Sequence, residues 1–208
     1  MHIIRKFRNV MRGVLQAWGA ASIKRKLWNS EFSNGRWDYI ENTPDDCVYA
    51  YIGRYGGNGN ILDLGCGSGN TGNELDSGIY QGYTGIDVSD VAVQKARARS
   101  QANGRFQKNQ YFQSDVIAYI PTSSYNLILF RESIMYIPHG KIKTTLDRYS
   151  KYLEPGGVFV VRMCDREKYR GIVQVIKEGY EVVDEYLPEQ AKTIVIAFRP
   201  TPAAKSRG

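Results

Sequence analysis

The chain has 208 residues, of which 42% are apolar and 24% charged. These values are typical of one soluble globular domain with a well-buried core, and no stretch approaches the roughly 20 apolar residues of a membrane-spanning helix. The three cysteines, Cys47, Cys66 and Cys164, are odd in number and widely spaced. That spacing excludes a disulfide framework and a metal-ligand motif, so we expect a reducing cytosol and no metal site.

The first 30 residues carry the whole net charge of +7. They contain seven Lys and Arg and no acid, whereas the other 21 basic residues balance the 21 acids. The seven bases are Arg5, Lys6, Arg8, Arg12, Lys24, Arg25 and Lys26. Apolar residues recur on one side of a helix here, namely Ile3, Ile4, Phe7, Val10, Met11, Val14, Leu15 and Trp18, with Gln16 and the first four bases opposite. The segment predicts a basic amphipathic helix and no signal peptide, because charges interrupt every apolar run.

Two interpretations of this arm remain equally open. Such a helix can lie on an anionic membrane surface, near a lipid-linked substrate. Alternatively, its apolar face packs on the folded domain or on a second subunit. Nucleic acid is disfavoured, because the rest of the chain has no basic excess that would extend the patch. We therefore divide the chain into an arm and cap (residues 1–41), a folded domain (42–200) and a polar tail (201–208) that we expect to be mobile.

The cap and the first helix of the domain follow the arm. Aromatic residues are frequent over residues 27–39, which we expect to cover one end of the domain. Thr43-Pro44-Asp45-Asp46 combines an N-cap threonine, a proline at the first helical position and acids in the first turn. The pattern predicts a helix from Thr43 to about Arg54 that stops at Gly56-Gly57.

A glycine-rich turn after the first strand is the most informative motif. The strand is predicted at Asn60–Leu64, and Gly65, Gly67 and Gly69 follow it at alternate positions. Glycine lets such a turn tighten until a ligand can touch the backbone. Dinucleotide sites use G-x-G-x-x-G, whereas this third glycine comes one residue early. The spacing disfavours a nicotinamide-dependent oxidoreductase and favours a cofactor without a pyrophosphate.

Later segments alternate between strands and helices. Strands are predicted to end at Asp87, at Gln113-Ser114-Asp115-Val116 and at Phe130. Helices are predicted to span 89–100 and 141–153, the latter with Ile142, Leu146, Tyr149 and Leu153 on one face. This alternation predicts a parallel sheet with helices on both faces. Strands 180–186 and 193–198 are separated by so short a connection that we expect a hairpin, with the last strand antiparallel to its neighbour.

Together, the glycine turn, Asp87, Asp115, the fourth strand and Leu153-Glu154-Pro155-Gly156-Gly157 resemble the class I S-adenosylmethionine-dependent methyltransferases. The resemblance extends over roughly residues 42–200. It implies a Rossmann-like sheet of seven mostly parallel strands with an antiparallel last strand. The implied cofactor is S-adenosylmethionine, which leaves as S-adenosylhomocysteine.

The resemblance also implies roles for individual residues. Asp63 reaches the cofactor ammonium, the turn Gly65-Cys66-Gly67 faces its amino-acid moiety, and Asp87 accepts from both ribose hydroxyls. Val88 packs on adenine, Asp115 accepts from the adenine amine and the Val116 N–H lies nearby. Arg131 is also expected at the cofactor. So is Trp37, which matches an early tryptophan close to the cofactor in nodulation-type methyltransferases that act on chitooligosaccharides. The alternative for Asp63 is that it satisfies only the turn's own N–H groups. For Cys66 a small residue that fits is favoured over a redox role.

The acceptor pocket of the family begins after the fourth strand. Methyl transfer to oxygen or nitrogen releases a proton, so a general base is expected, and Glu132 and His139 are the candidates. Glu132 can equally hold an arginine such as Arg131 or Arg162, and His139 can simply open a helix after a proline. The N-P-P-Y type tetrapeptide of base-modifying amino methyltransferases is absent after the fourth strand.

These patterns lead to one main hypothesis and one alternative. The main hypothesis is a methyltransferase, in the cytoplasm or at the inner membrane face, acting on an oxygen or nitrogen atom of a small molecule or glycan, including a lipid-linked or polysaccharide precursor. The alternative is a non-catalytic S-adenosylmethionine-binding regulator or scaffold that the arm recruits to a partner.

Overall fold

A computed structural model describes residues 13–40, 43 and 45–201 of the chain. Most of the predicted amphipathic helix, from Ile3 to Met11, lies outside the described residues, as do Pro44 and almost all of the predicted tail. Within the described residues, no helix is long and apolar enough to cross a bilayer.

Within this described part of the chain, seven strands form one sheet in the order β3-β2-β1-β4-β5-β7-β6. The strands are β1 (Asn60–Leu64), β2 (Gly82–Asp87), β3 (Asn109–Gln113), β4 (Tyr125–Arg131), β5 (Leu153–Met163), β6 (Tyr180–Tyr186) and β7 (Ile194–Pro200). Strands β1 to β5 pair in parallel, and β7 is antiparallel to both β5 and β6. The predicted mostly parallel sheet with a reversed last strand is confirmed. Parallel strands bring their carboxyl ends, and the polar residues that follow them, to one edge.

Helices cover both faces of this sheet, as predicted. They are α1 (Ala21–Ser33), α2 (Val48–Tyr55), α3 (Asn70–Glu74), α4 (Asp90–Ala102), α5 (His139–Ser150) and α6 (Arg170–Gly179), and residues 13–18 are helical too. Alternate residues of β1 point to opposite faces. Leu62 and Leu64 join a core with α5 and α6, whereas Ile61 joins a second core with α2 and α4.

Two predicted helix boundaries are wrong. Helix α2 begins at Val48 and not next to Thr43, because the Asp46 carboxylate accepts the Val48 N–H (3.0 Å) while Thr43 donates its own N–H to Glu74 (3.1 Å). Helix α5 ends at Ser150, because Leu153 is already the first residue of β5. The predicted ends of β1, and of α2 at Gly56, agree with the structure.

Candidate active site

A cavity of about 240 Å³ lies at the carboxyl ends of β1, β2 and β4. It is lined by every site residue that the sequence predicts except His139: Trp37, Asp63, Gly65, Cys66, Gly67, Asp87, Val88, Asp115, Val116, Arg131 and Glu132. The cavity has two sides of different origin. The edge of the sheet forms the inner side, and α1 with the turn that follows it forms the outer side.

The glycine turn is tied by its backbone to the end of β2. The N–H groups of Gly65 and Cys66 both donate to the Ile86 carbonyl, at 2.7 and 3.0 Å. Gly65 has a φ of +86°, and a Cβ there would clash with the side chain of Ser133. The position therefore requires glycine both for its left-handed backbone and for the close approach. Burial raises the pKa of the Cys66 thiol well above its usual value, so Cys66 is a neutral, small lining residue.

Asp63, the penultimate residue of the buried strand β1, has one unsatisfied carboxylate oxygen. Its side chain is only 1% exposed, and its Oδ2 accepts a short hydrogen bond from the Tyr83 hydroxyl. No hydrogen-bond donor reaches its Oδ1 among the described residues. Burial raises the pKa of Asp63 to about 7. A buried acceptor without a partner is rare, and here it borders a cavity, which fits an ammonium donor on a ligand.

Asp87 is held by two backbone donors at the end of β2. Its Oδ2 accepts the Gly67 N–H (2.9 Å) and its Oδ1 accepts the Ser89 N–H (2.8 Å). Burial raises the pKa of Asp87 to about 6. Each carboxylate oxygen can accept a further bond, so both can accept from a pair of hydroxyls in the cavity. Val88, the next residue, also lines the cavity.

Asp115, expected at the adenine amine, is paired with a residue that the sequence analysis did not assign to the site. Its Oδ2 lies 3.0 Å from the Lys24 ammonium, and its Oδ1 accepts the Ile117 N–H at 2.7 Å. Lys24 belongs to α1 and is buried. Lone pairs of Asp115 remain available to a further donor. Val116 lines the same end, where its carbonyl accepts the Tyr149 hydroxyl at 2.7 Å.

Helix α1 forms the outer side of the cavity. Lys24, Trp28 and Phe32 all line it, and their spacing of four residues places them on one face of the helix. That spacing is the sequence signal that could have identified them. The helix is fastened to the start of α4, where Asp90 accepts from Arg25 (2.7 Å) and Asn29 (2.6 Å).

The first described residues of the arm, 13–18, pack through a polar side chain and not through their predicted apolar face. Gln16, predicted on the polar side, is buried and donates to Glu31 at 3.0 Å. Val14, Leu15 and Trp18, predicted on the apolar side, are exposed. Packing on the domain is therefore observed for α1, but the apolar face of residues 13–18 does not take part in it.

Trp37 lines the cavity within a row of aromatic rings. Its indole N–H donates to the buried Glu31 carboxylate at 2.8 Å. Ring centroids are 4.7 Å apart for Tyr136 and Trp28, 5.8 Å for Trp28 and Trp37, and 6.1 Å for Trp37 and Tyr39. The row leads from the cavity lining to the exposed ring of Tyr39.

Side chains of alternating charge line the cavity next to the end of β4. Arg131 pairs with Asp46 (2.8 Å) and also donates to the Thr43 hydroxyl (2.7 Å). Asp46 lies 3.5 Å from Arg162, which in turn forms a short ion pair with Glu132. Of the two arginines expected as partners of Glu132, the structure thus selects Arg162. Asp46 was missed as a site residue, because its sequence context read as a helix start.

Glu132 has a backbone conformation that is rare for its residue type. Its φ is +53°, in the left-handed region, and its N–H donates to the Arg162 carbonyl at 3.0 Å. Such conformations cost energy and persist where the surrounding structure imposes them, often at functional sites. Here the conformation places the carboxylate of the residue after β4 beside the cavity.

His139 does not reach the cavity, so the prediction that it serves as a base is wrong. It is the exposed first residue of α5, and its ring packs near Gly171 of α6. The cavity lining extends along the chain to Ile137, and α5 begins two residues later with His139. Among the residues described, no three His, Cys, Asp or Glu form a cluster that could hold a metal ion.

Comparison with known proteins identifies the family. A family model described as a methyltransferase domain matches residues 56–194, which include the glycine turn, Asp87, Asp115 and Glu132. The chain is a class I S-adenosylmethionine-dependent methyltransferase. Its cofactor is accordingly S-adenosylmethionine. No curated protein sequence matches this methyltransferase.

Solved structures share the fold of this methyltransferase at low sequence identity. The N-methyltransferase NodS from Bradyrhizobium japonicum WM9, in complex with S-adenosylhomocysteine, has a TM-score of 0.68 at 19% identity, over 85% of this chain and 97% of NodS. Magnesium protoporphyrin IX methyltransferase from Synechocystis PCC 6803, with bound S-adenosylmethionine, has a TM-score of 0.65 at 16% identity, over 86% and 96%. The CcbJ methyltransferase from Streptomyces caelestis has a TM-score of 0.63 at 12% identity, over 74% and 88%.

The cavity of this methyltransferase fits its cofactor. Asp63 has an unpaired carboxylate oxygen that could accept from the ammonium, and Asp87 has two oriented oxygens that could accept from the ribose hydroxyls. Asp115 and Val88, an acceptor and an apolar side chain in the same lining, could take the adenine. The residues that fit the cofactor all lie on the inner side of the cavity.

Proposed function

We propose that this methyltransferase modifies an oxygen or nitrogen atom of a small molecule or glycan, with Glu132 as the general base. The observation that carries the proposal is the position of Glu132. Its carboxylate lines the cavity beside Tyr136, in a backbone conformation imposed by its surroundings. A methyl-acceptor substrate bound beside Glu132 would meet both a group that can take its proton and the ring of Tyr136 to pack against.

The residues of the chain have separate tasks in the reaction. S-Adenosylmethionine, when bound, supplies an electrophilic methyl group on a sulfonium. Asp63 and Asp87 would hold the cofactor, and the aromatic row would hold the acceptor, because positioning accounts for much of the acceleration of an in-line displacement. Glu132 would take the proton that the acceptor loses when it is methylated. Arg162 keeps that carboxylate in place.

A glycan acceptor is supported by the aromatic row from Tyr136 to Tyr39. Aromatic rings offer apolar faces with a polar tip, which suit the C–H faces and hydroxyls of sugars. The row continues from the cavity to the surface, so a linear acceptor could extend along it. Transfer to nitrogen is supported by the similarity to NodS, whose name describes an N-methyltransferase.

Product release in the presence of candidate acceptors tests the proposal. Purified chain is incubated with S-adenosylmethionine and, separately, with oligosaccharides, amino sugars and non-sugar metabolites, and S-adenosylhomocysteine is quantified. We expect release with the sugar acceptors. Binding of S-adenosylmethionine without release for any acceptor class would favour the alternative, a non-catalytic regulator or scaffold.

Glu132→Gln then tests the assignment of the base. We expect kcat to fall by about 10² to 10⁴, because the amide of glutamine cannot take the proton that the methyl acceptor must lose. The affinity for S-adenosylmethionine should stay within about twofold, since Glu132 does not hold the cofactor. Glu167→Gln, at an exposed acid outside the cavity, is the matched control and should leave both quantities unchanged. An unchanged kcat in Glu132→Gln would reject Glu132 as the base.

A further inference from the structure

The N-terminal segment presents an apolar surface that no described residue covers. Val14, Leu15, Trp18 and Ile23, the outer patch, are 51%, 37%, 66% and 42% exposed. The first three lie on one side of the helical stretch 13–18. Ile23 lies beside them, since its Cγ2 is 3.4 Å from the position of a Cβ on Gly19. Exposed aliphatic side chains next to a tryptophan form a surface suited to an apolar partner.

Positive charge surrounds the outer patch in the sequence. Residues 1–30 hold seven basic residues and no acid. Of these, Lys24 and Arg25 pair with Asp115 and Asp90 of the folded domain, whereas Lys26 is exposed. The remaining four bases precede the outer patch by two to nine residues. An apolar patch flanked by cations complements a surface that is apolar inside and anionic outside.

We propose that the outer patch docks on the anionic surface of a lipid bilayer. Trp18 and its aliphatic neighbours would enter the boundary between headgroups and acyl chains, and the basic residues would contact the headgroups. A second copy of the chain is a poorer partner, because a symmetric contact would bring two acid-free basic segments together. Nucleic acid is also a poorer partner, because residues 31–208 have no net positive charge to extend the contact.

Docking would place the bilayer next to the helix that forms the outer side of the cavity. Helix α1 contributes Ile23 to the outer patch, and the residues directly after Ile23 begin the face that lines the cavity with Lys24, Trp28 and Phe32. A lipid-linked acceptor could therefore reach the site without leaving the membrane. That consequence rests on the proposed function, whereas docking itself requires neither the cofactor nor an acceptor.

Vesicle co-sedimentation of the full chain tests docking. The probes are vesicles of phosphatidylcholine alone and vesicles with about one third phosphatidylglycerol, at low and high salt. We expect binding to the anionic vesicles only, weakened by salt. Val14→Ser/Trp18→Ser should reduce partitioning at least tenfold, because two exposed apolar side chains are lost. Lys26→Gln should reduce it about fivefold.

Matched variants at the opposite edge of the sheet serve as controls. Phe106 is an exposed aromatic residue and Lys151 an exposed lysine, and both precede the amino end of a strand, away from the cavity. Phe106→Ser and Lys151→Gln should bind vesicles within about twofold of the unaltered chain. Titration with S-adenosylmethionine, unchanged in every variant, separates loss of docking from loss of the folded site.

Several results would overturn the docking proposal. Equal binding to neutral and anionic vesicles would remove the role of charge, and full binding by Val14→Ser/Trp18→Ser would remove the role of the outer patch. A dimer that this variant abolishes, without vesicle binding, would assign the patch to a second copy. Salt-sensitive binding to DNA or RNA without vesicle binding would assign the segment to nucleic acid. None of these results would bear on methyl transfer.

Discussion

The two sides of the cavity are held by different kinds of interaction. On the inner side, backbone hydrogen bonds fix the glycine turn to β2 and hold both oxygens of Asp87. On the outer side, α1 is attached by contacts between side chains, such as Lys24 with Asp115 and Arg25 with Asp90. The inner side is therefore fixed once the sheet forms, whereas the outer side depends on side chains that single substitutions can release.

Gly69→Ala should have the largest effect on stability, because it distorts the backbone of the glycine turn on the inner side. Gly69 has a φ of +76°, and a Cβ there would lie 2.7 Å from Cβ of Ala96 on α4. We expect a loss of about 3 kcal/mol in the free energy of unfolding, measured with urea. Gly104→Ala, with a φ of +68° but nothing within 4 Å, isolates the backbone strain and should lose less. Equal losses in the two variants would contradict the close packing of the turn on α4.

Asp87→Ala should reduce the affinity for S-adenosylmethionine by about a hundredfold, because two hydrogen bonds to a charged acceptor are lost. Isothermal titration measures the effect. Asp90→Ala, three residues later, removes the acceptor of Arg25 and Asn29 and loosens only the outer side. It should change the affinity far less. Similar losses in both variants would mean that the two sides bind the cofactor together.

Cofactor binding should strengthen as the pH rises. Burial raises the pKa of Asp63 to about 7 and that of Asp87 to about 6, so both carboxyls are protonated at low pH and ionised above their pKa values. The ammonium and hydroxyl donors favour the ionised forms, so we expect roughly tenfold tighter binding at about pH 8 than at about pH 5. Asp63→Asn should flatten the upper part of this profile. A flat profile for the unaltered chain would contradict the effect of burial on these carboxyls.

Stability without the cofactor should change with pH in the opposite direction. In the unfolded chain the two carboxyls ionise near their ordinary pKa, whereas in the fold they keep their protons until about pH 6 to 7. The folded state therefore binds more protons between about pH 4 and about pH 7, and these two groups make the free energy of unfolding fall as the pH rises through that window. Urea titrations of the unaltered chain and of Asp63→Asn at the two ends of the window isolate the contribution of Asp63.

A double-mutant cycle on Lys24 and Asp115 measures the attachment of the outer side. Both side chains are largely buried, and we expect a coupling of about 1 to 2 kcal/mol in the free energy of unfolding for Lys24→Met with Asp115→Asn. The more exposed pair of Arg25 and Asp90 should show a smaller coupling. The reverse order would mean that α1 is held mainly at the start of α4.

His139→Ala should have the smallest effect. The residue is exposed and lies on neither side of the cavity, so kcat/KM should stay within about twofold. Steady-state assays beside Glu132→Gln provide the comparison. A large loss in His139→Ala would show that the first turn of α5 moves to the cavity during turnover.

The local sequence pattern correctly predicted the residues on the inner side of the cavity. It did not predict where the helix near Thr43 begins. The residues of β1 are followed directly by the turn, so apolar strand and glycine spacing together located Gly65 and Asp63. At Thr43 the local signals for a helix start were strong. They gave way because Thr43 and Asp46 make contacts with Glu74 and Arg131 that the local sequence does not contain.

The sheet, the cofactor and the residues that follow the strands were all predictable from the amino-acid sequence. Parallel strands place their carboxyl ends at one edge, so residues scattered along the chain come together by topology alone. Three other features became visible only in the folded chain: Lys24 meets Asp115 across 91 positions, Arg162 holds Glu132, and His139 packs near Gly171 outside the cavity. These outcomes depend on how helices and loops pack against the sheet, and neither periodicity nor motif spacing encodes that packing.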